Sequence, residues 1–217
     1  MMTPRSTPSI PHIVAIGGSA GAIEALSKLL GLLPPGLPAI VLATVHRKVY
    51  AESHLREVLA RQAHMCVVIP EEGELLSPGR CYIGHPASHL TVGPGLRARF
   101  VGDGFYRAHN IDALFTSVAR HGGSRVIGVI LSGMNSDGTQ GLVAIKEEGG
   151  TALVQSPAEA LWDEMPLSAI HNDGHVDFVG TIKEIAREIC RLVTATDDQG
   201  QYDDAQNEEA KGFAEPV

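Results

Sequence analysis

Short apolar runs rich in β-branched residues alternate with segments of helical periodicity along most of this 217-residue chain. "HIVAIG" is followed by "AIEALSKLLGLLP", and "PAIVLATVH" by "AESHLREVLARQA". "MCVVIP" comes next, and later "RVIGVILSG" precedes "TQGLVAIKEEG" and "TALVQSP". The strand-like runs are apolar throughout rather than alternating, as expected of strands buried on both faces. That pattern constrains the fold to an α/β class, a doubly wound, mainly parallel sheet with helices on both faces. "GRCYIGHP" and "HLTVGP" are expected to pair as a small antiparallel hairpin. "NIDALFTSVARHG" places Ile111, Leu114, Phe115 and Val118 at helical spacing, and "TIKEIAREICRLV" predicts a final amphipathic helix behind a Thr cap. One domain is expected over residues 12–194, after a disordered lead at 1–11 and before an acidic disordered tail or linker at 195–217.

Charge and cysteine usage narrow the function classes. Residues 197–217 hold seven acids against one lysine, so six of the eight net negative charges lie there. The body is then almost neutral, which offers no basic footprint for nucleic acid. No segment approaches the roughly 20 apolar residues that span a bilayer, and the proline-containing N-terminus lacks the apolar core of a secretory signal. Membrane insertion is therefore not expected. Cys66, Cys81 and Cys190 are odd in number and form no C-x-x-C pair, which argues against a disulfide framework or a cysteine zinc site. A reducing cytoplasm is the expected setting.

In a sheet of this type, sites form beyond the carboxyl ends of the strands. Three strand ends carry chemistry. The first is "GGSAGA", whose small residues permit a tight turn presenting Ser19 at the start of a helix. Taken alone, Ser19 suits a helix cap, a nucleophile on a G-x-S-x-G elbow, or a phosphate ligand. The dinucleotide fingerprint fits poorly, because no acid ends the next strand. The second is His46, closing "PAIVLATVH"; imidazole is the usual acceptor of a hydroxyl proton near neutral pH. The third is Asp137 in "ILSGMNSDGTQGL", where Asp-Gly alone reads as an ordinary turn. Together the three supply nucleophile, base and orienting carboxylate from strand ends on one edge of the sheet.

These residues also carry a family resemblance. The stretch from Ile13 to Val193 resembles the catalytic domain of the CheB-type protein-glutamate methylesterases of bacterial chemotaxis. The likeness rests on the strand–"GGSAG"–helix start, the strand ending in His46, "PGRCYIGHPASHL", "NIDALFTSVA", "GVILSGMNSDGTQGL" and "MPLSAI". It implies Ser19 as nucleophile, His46 as base and Asp137 as its orienter. The backbone N–H groups of Ala20 and Met134 would serve the oxyanion. It further implies hydrolysis of γ-glutamyl methyl esters on the cytoplasmic helices of chemoreceptors, a related glutamine deamidation, and no cofactor or metal. Family members usually carry an upstream receiver domain, so this chain is expected either to escape that regulation or to work with other domains of a larger protein. It departs from the family's usual residues at Ala20, Ala22, Asn135 and Glu164, and Arg47 follows the histidine where Met is common. These changes bear on substrate fit.

Two rival readings are a general serine esterase with a late base, His171 or His175, and a non-catalytic sensory module of the same fold. His85 and His89 are four apart, but Pro86 between them and the hairpin context argue against a metal pair. Arg107 and His109 precede the "NIDALF" helix, where they would meet a substrate carboxylate or lie on a surface loop. Trp162 and Met165 suit either the cleft wall or the core.

Overall fold

The computed structural model describes residues 10–46, 54–85, 88–102, 109–172 and 176–209, with side-chain surroundings through residue 195. Strand β1 (His12–Gly18) is buried along its whole length and leads into α1 (Ala22–Leu32). Then follow β2 (Ala39–Val45), α2 (Leu55–Ala60), β3 (Cys66–Val68) and β4 (Arg80–Ile83). β5 (His89–Gly93) and β6 (Arg97–Val101) precede α3 (Asn110–Gly122). The chain continues through β7 (Val126–Ile130), α4 (Thr139–Glu147), β8 (Thr151–Gln155), α5 (Glu164–Ile170), β9 (Phe178–Gly180) and α6 (Ile182–Glu209).

Seven strands form one sheet in the order β3-β4-β2-β1-β7-β8-β9, and every pairing in it is parallel. Side chains of a strand point alternately to its two faces, and β1 shows the result. Val14 and Ile16 join one core with Leu26, Leu29 and Leu30 of α1 and Ile185 and Ile189 of α6. Ile13 and Ala15 join the other, with Leu114 and Phe115 of α3, Leu142 of α4 and Met165 of α5. Each fully buried Leu or Phe adds about 1.5–3 kcal/mol relative to leaving it in water. The expected α/β architecture with helices on both faces is thus present. No helix among the described residues is long and apolar enough to cross a membrane.

The register sets up the site. Gly18 of β1 lies opposite Val45 of β2, and Gly17 lies opposite Ile130 of β7. The three central strands therefore end level with one another. Ser19, His46 and Leu131 are the next residues after adjacent strands, on one edge of the sheet.

Two expectations need correction. "RCYI" does not pair with "HLTVG"; it enters the main sheet as β4, and the antiparallel pair is β5 with β6. Cys81, Tyr82 and Ile83 are all buried, so this strand suits a parallel interior. The "GPGL" link supplies the positive φ values of a hairpin turn, +69° at Gly95 and +55° at Leu96. The acidic segment after residue 194 does not begin as a disordered tail, because α6 continues to Glu209. That stretch contains no proline and is rich in Ala, Gln and Glu, which favour helix. Most of the expected lead, and the rest of the tail, lie outside the described residues.

Candidate active site

The Ser19 turn is shaped by glycine. Gly21 is the N-cap of α1, at φ +75° and without a side-chain cap hydrogen bond. A side chain there would be strained, and its Cβ would lie 2.8 Å from Ser132 Oγ and 2.9 Å from Leu161 Cβ. Because Gly21 occupies the cap, the Ser19 hydroxyl is not spent on capping. Instead the Ser19 carbonyl accepts the Ala22 N–H at 3.1 Å, and the Ser19 N–H donates to the Ser132 carbonyl at 3.0 Å. Among the described residues, Ser19 Oγ has no hydrogen-bond partner, His46 included. Such bonds are often open in the absence of substrate.

His46 is tied to the neighbouring strand end by its own N–H, which donates to the Gly18 carbonyl at 3.1 Å. Its ring Nε2 donates to Asp137 Oδ2 at 2.6 Å. Its side chain is 19% exposed, whereas that of Asp137 is 1% exposed. An ionised carboxylate only accepts, so this contact puts the ring proton on Nε2 and leaves the Nδ1 lone pair available.

The Asp137 carboxylate reaches away from its own turn. Its Oδ2 also accepts the Ile111 N–H and its Oδ1 the Asp112 N–H, each at 3.0 Å. It thus caps α3 from a loop 25 residues away, replacing the N-cap His109, which makes no side-chain cap bond. Asp112 returns the favour. Its Oδ1 accepts the Gly141 N–H of α4 at 2.7 Å, where the N-cap Gly138 has no side chain to offer. The two helices are cross-capped, each by a carboxylate next to the other's start. Burial raises the Asp112 carboxyl above its ordinary value; the nearby Asp137 charge pushes the same way, while the Gly141 and Gly138 N–H groups and His109 oppose it.

Ligand atoms of His109, Asp112 and Asp137 lie within 4.8 Å of one another. The Asp137 oxygens already accept three N–H groups and face the positive end of α3, a poor place for a cation. A cleft of about 380 Å³ opens beside this cluster, lined by His109, Asp112, Ser136, Thr139, Ser168 and His171. His171 is the C-cap of α5 on that cleft wall, and among the described residues the histidine bonded to Asp137 is His46. His175, Arg47, Pro86 and Arg107 lie outside the described residues.

The loop from Ser132 to Asp137 closes over the Ser19 turn. A Cβ on Gly133 would overlap the Met165 sulfur and lie 3.0 Å from Ser19 Cβ, so only glycine lets the loop approach this closely. The Gly133 N–H donates to the Trp162 carbonyl at 2.9 Å, and the Met165 N–H donates to the Gly133 carbonyl at 3.0 Å. Met165 is buried, whereas Met134, Leu161 and Trp162 are exposed. The Ala20 and Met134 N–H groups have no acceptor among the described residues. Two positions that depart from the family's usual residues meet each other: the Asn135 N–H donates to Glu164 Oε2 at 3.2 Å. Asn135 sits at φ +81°, which asparagine tolerates better than most residues, and its Oδ1 accepts the Asp137 N–H at 2.9 Å.

Sequence reasoning missed Ser132 and Gly133 as parts of this site, and Asp112 as the cap of α4. All three stand inside motifs it had singled out, but their partners are far away in sequence.

Comparison with known proteins identifies the family. A family model described as CheB methylesterase matches residues 14–189. A Moorella thermoacetica protein named protein-glutamate methylesterase/protein-glutamine glutaminase is 35% identical over 205 residues, which cover 88% of this chain and 46% of that protein. A Caulobacter vibrioides protein named protein-glutamate methylesterase/protein-glutamine glutaminase 1 is 36% identical over 188 residues, covering 84% of this chain and 54% of its own length. The chain therefore spans about half the length of these two relatives. A Leptospira interrogans relative, 34% identical over 183 residues, is covered over 93% of its length. The crystal structure of the Thermotoga maritima CheB methylesterase catalytic domain superposes with a TM-score of 0.77 at 29% identity, covering 84% of this chain and 98% of that one. The chain belongs to the CheB methylesterase family.

Proposed function

We propose that this chain hydrolyses γ-glutamyl methyl esters on the cytoplasmic helices of chemoreceptors, with Ser19, His46 and Asp137 as its catalytic residues. The observation that carries the reading is the 2.6 Å contact from His46 Nε2 to buried Asp137 Oδ2, one strand away from the Ser19 turn. The contact holds the ring in the tautomer whose Nδ1 is basic. As the Ser19 oxygen attacks the ester carbonyl carbon, Nδ1 takes the hydroxyl proton. Asp137 stabilises the imidazolium that results. The Ala20 and Met134 N–H groups, without acceptors among the described residues, are available to the oxyanion; losing one such donor typically costs about 10²–10³ in rate. The carbonyl re-forms, the C–O bond to methoxide breaks, and the imidazolium gives its proton to that oxygen, releasing methanol. Water then attacks the acyl-enzyme as Nδ1 takes one of its protons; the bond from the acyl carbon to the Ser19 oxygen breaks, and the imidazolium returns that proton to the Ser19 oxygen, freeing glutamate and the enzyme.

Glutamine deamidation follows the same route with ammonia as the leaving group, which is harder to expel than methanol. The working compartment is the cytoplasm. Partners are the methylated receptor helices and the further domains with which such a catalytic unit operates. The reading is tested by methanol release from a methylated receptor cytoplasmic fragment. Wild-type protein should release methanol while Ser19→Ala does not. Equal release by the two refutes the assignment, and no release by either favours a binding module of the same fold.

A further inference from the structure

Within "ILSGMNSDG", the residue that binds the most segments together through its side chain and backbone is Ser132, which is 1% exposed. Its carbonyl accepts the Ser19 N–H at 3.0 Å. Its hydroxyl donates to the Ala20 carbonyl at 2.8 Å and accepts the Trp162 N–H at 2.9 Å. Its own N–H donates to Gln155 Oε1 at 2.9 Å. The Gln155 amide in turn donates to Glu159 Oε2 at 3.2 Å, and that oxygen accepts the Ile182 N–H at the start of α6 at 2.8 Å. An unbroken series of hydrogen bonds thus runs from α6 to the Ser19 turn, with Ser132 at its junction.

The consequence for the turn is specific. The Ser19 N–H is held by Ser132, the Ser19 carbonyl by Ala22, and the Ala20 carbonyl by the Ser132 hydroxyl. The Ala20 N–H shares its planar peptide unit with the Ser19 carbonyl, which Ala22 holds, and Ser132 holds the units before and after it, so the direction of that N–H depends on both flanking planes staying in place. A hydroxyl can donate to one carbonyl while accepting one N–H. Alanine at 132 would leave both the Ala20 carbonyl and the Trp162 N–H unpaired.

We infer that Ser132 is a positioning residue: its hydroxyl aims the Ala20 N–H at the developing oxyanion and fastens the Trp162 segment beside the Ser19 turn. The inference rests on Ser19 being the nucleophile. Donors matter most where charge develops in the transition state, so loss of aim lowers kcat rather than substrate affinity.

The experiment measures methanol release from a methylated receptor cytoplasmic fragment by full-length wild type, Ser132→Ala, Ser132→Thr and Ser19→Ala. Rates are normalised to active sites titrated with a fluorophosphonate. Ser132→Ala should lose about 10–100-fold in kcat with KM within about twofold, and Ser132→Thr, which keeps the hydroxyl, should recover most of that. A normalised kcat equal to wild type in Ser132→Ala, or a loss carried by KM, overturns the inference. If Ser132→Ala does not fold, Ser132→Cys with its weak donor takes its place, and a wild-type kcat there overturns the inference equally. Activity retained by Ser19→Ala would instead refute the nucleophile assignment, so the two failures are distinguishable.

Discussion

Replacing Asp137 with asparagine tests the site's electrostatics and its architecture together. The carboxylate serves three N–H donors: His46 Nε2 and Ile111 on Oδ2, and Asp112 on Oδ1. A carboxamide of the same shape has one accepting oxygen and one donating NH₂. With its oxygen in the Oδ2 position, the NH₂ confronts the Asp112 N–H. With its oxygen in the Oδ1 position, the NH₂ confronts the Ile111 N–H and faces His46. The ring must then accept on Nε2 and carry its proton on Nδ1, which removes the base. Neither orientation satisfies all three donors. One unpaired buried donor costs about 1–3 kcal/mol, which for a chain of this size lowers Tm by roughly 2–12 °C. That loss leaves a protein of ordinary stability, about 5–15 kcal/mol, folded at 25 °C. The activity loss is expected to be far larger, about 10³–10⁴ in kcat, because an orienting charge of this kind sets the tautomer and stabilises imidazolium. The assay is calorimetry beside methanol release at 25 °C. Activity within an order of magnitude of wild type, with an unchanged Tm, would show that Asp137 neither orients His46 nor caps α3.

Three further outcomes follow from the same contacts. Gly133→Ala drives a methyl group into Met165 and towards Ser19 Cβ, so Tm should fall by the amount expected of about 1–3 kcal/mol of overpacking. A nucleophile displaced by the order of 1 Å should cost about 100-fold in kcat, so kinetics as well as melting should register the change. Asn135→Ala keeps a β-carbon at φ +81° but loses the side-chain amide that makes this conformation tolerable and that accepts the Asp137 N–H, whereas Asn135→Gly loses the same acceptor and relieves the backbone; the glycine variant should be the more stable of the two by about 1–2 kcal/mol. Asp112→Asn keeps an oxygen for the Gly141 N–H but removes a carboxylate whose pKa is raised in the folded state. A raised acid binds its proton more tightly folded than unfolded, so its ionisation costs stability as pH rises through the raised pKa. Melting curves between about pH 4 and about pH 7 should therefore show Asp112→Asn gaining on wild type as pH increases.

What was legible in the sequence was the set of strand ends. β1, β2 and β7 announce themselves as apolar runs, and each is followed by the residue that faces the site: Ser19, His46 and the loop to Asp137. Their alignment needed the sheet order, which the parallel class implies but does not specify. β4 was misassigned because a four-residue apolar strand reads alike in a hairpin and in a parallel interior; burial of Cys81, Tyr82 and Ile83 decides between them. The end of α6 was placed too early because the acidic composition, with Gly200 in its midst, was weighed above the absence of proline. Ser132 was invisible for another reason. Its hydroxyl bonds Ala20 across 112 positions, and nothing local distinguishes a serine that spans such a distance from one that ends a strand. Asp112 likewise reads as an ordinary first-turn acid until Gly141 is seen 29 residues on.

The central claim is that Ser19 is a nucleophile activated by His46 as Asp137 holds it. Its most direct measurement is the mass of the intact protein and of its peptides after reaction with a fluorophosphonate. A single adduct on the peptide containing Ser19, formed rapidly by wild type and lost in His46→Ala, is the predicted result. An unmodified Ser19, or an adduct that forms at the same rate without His46, would contradict it.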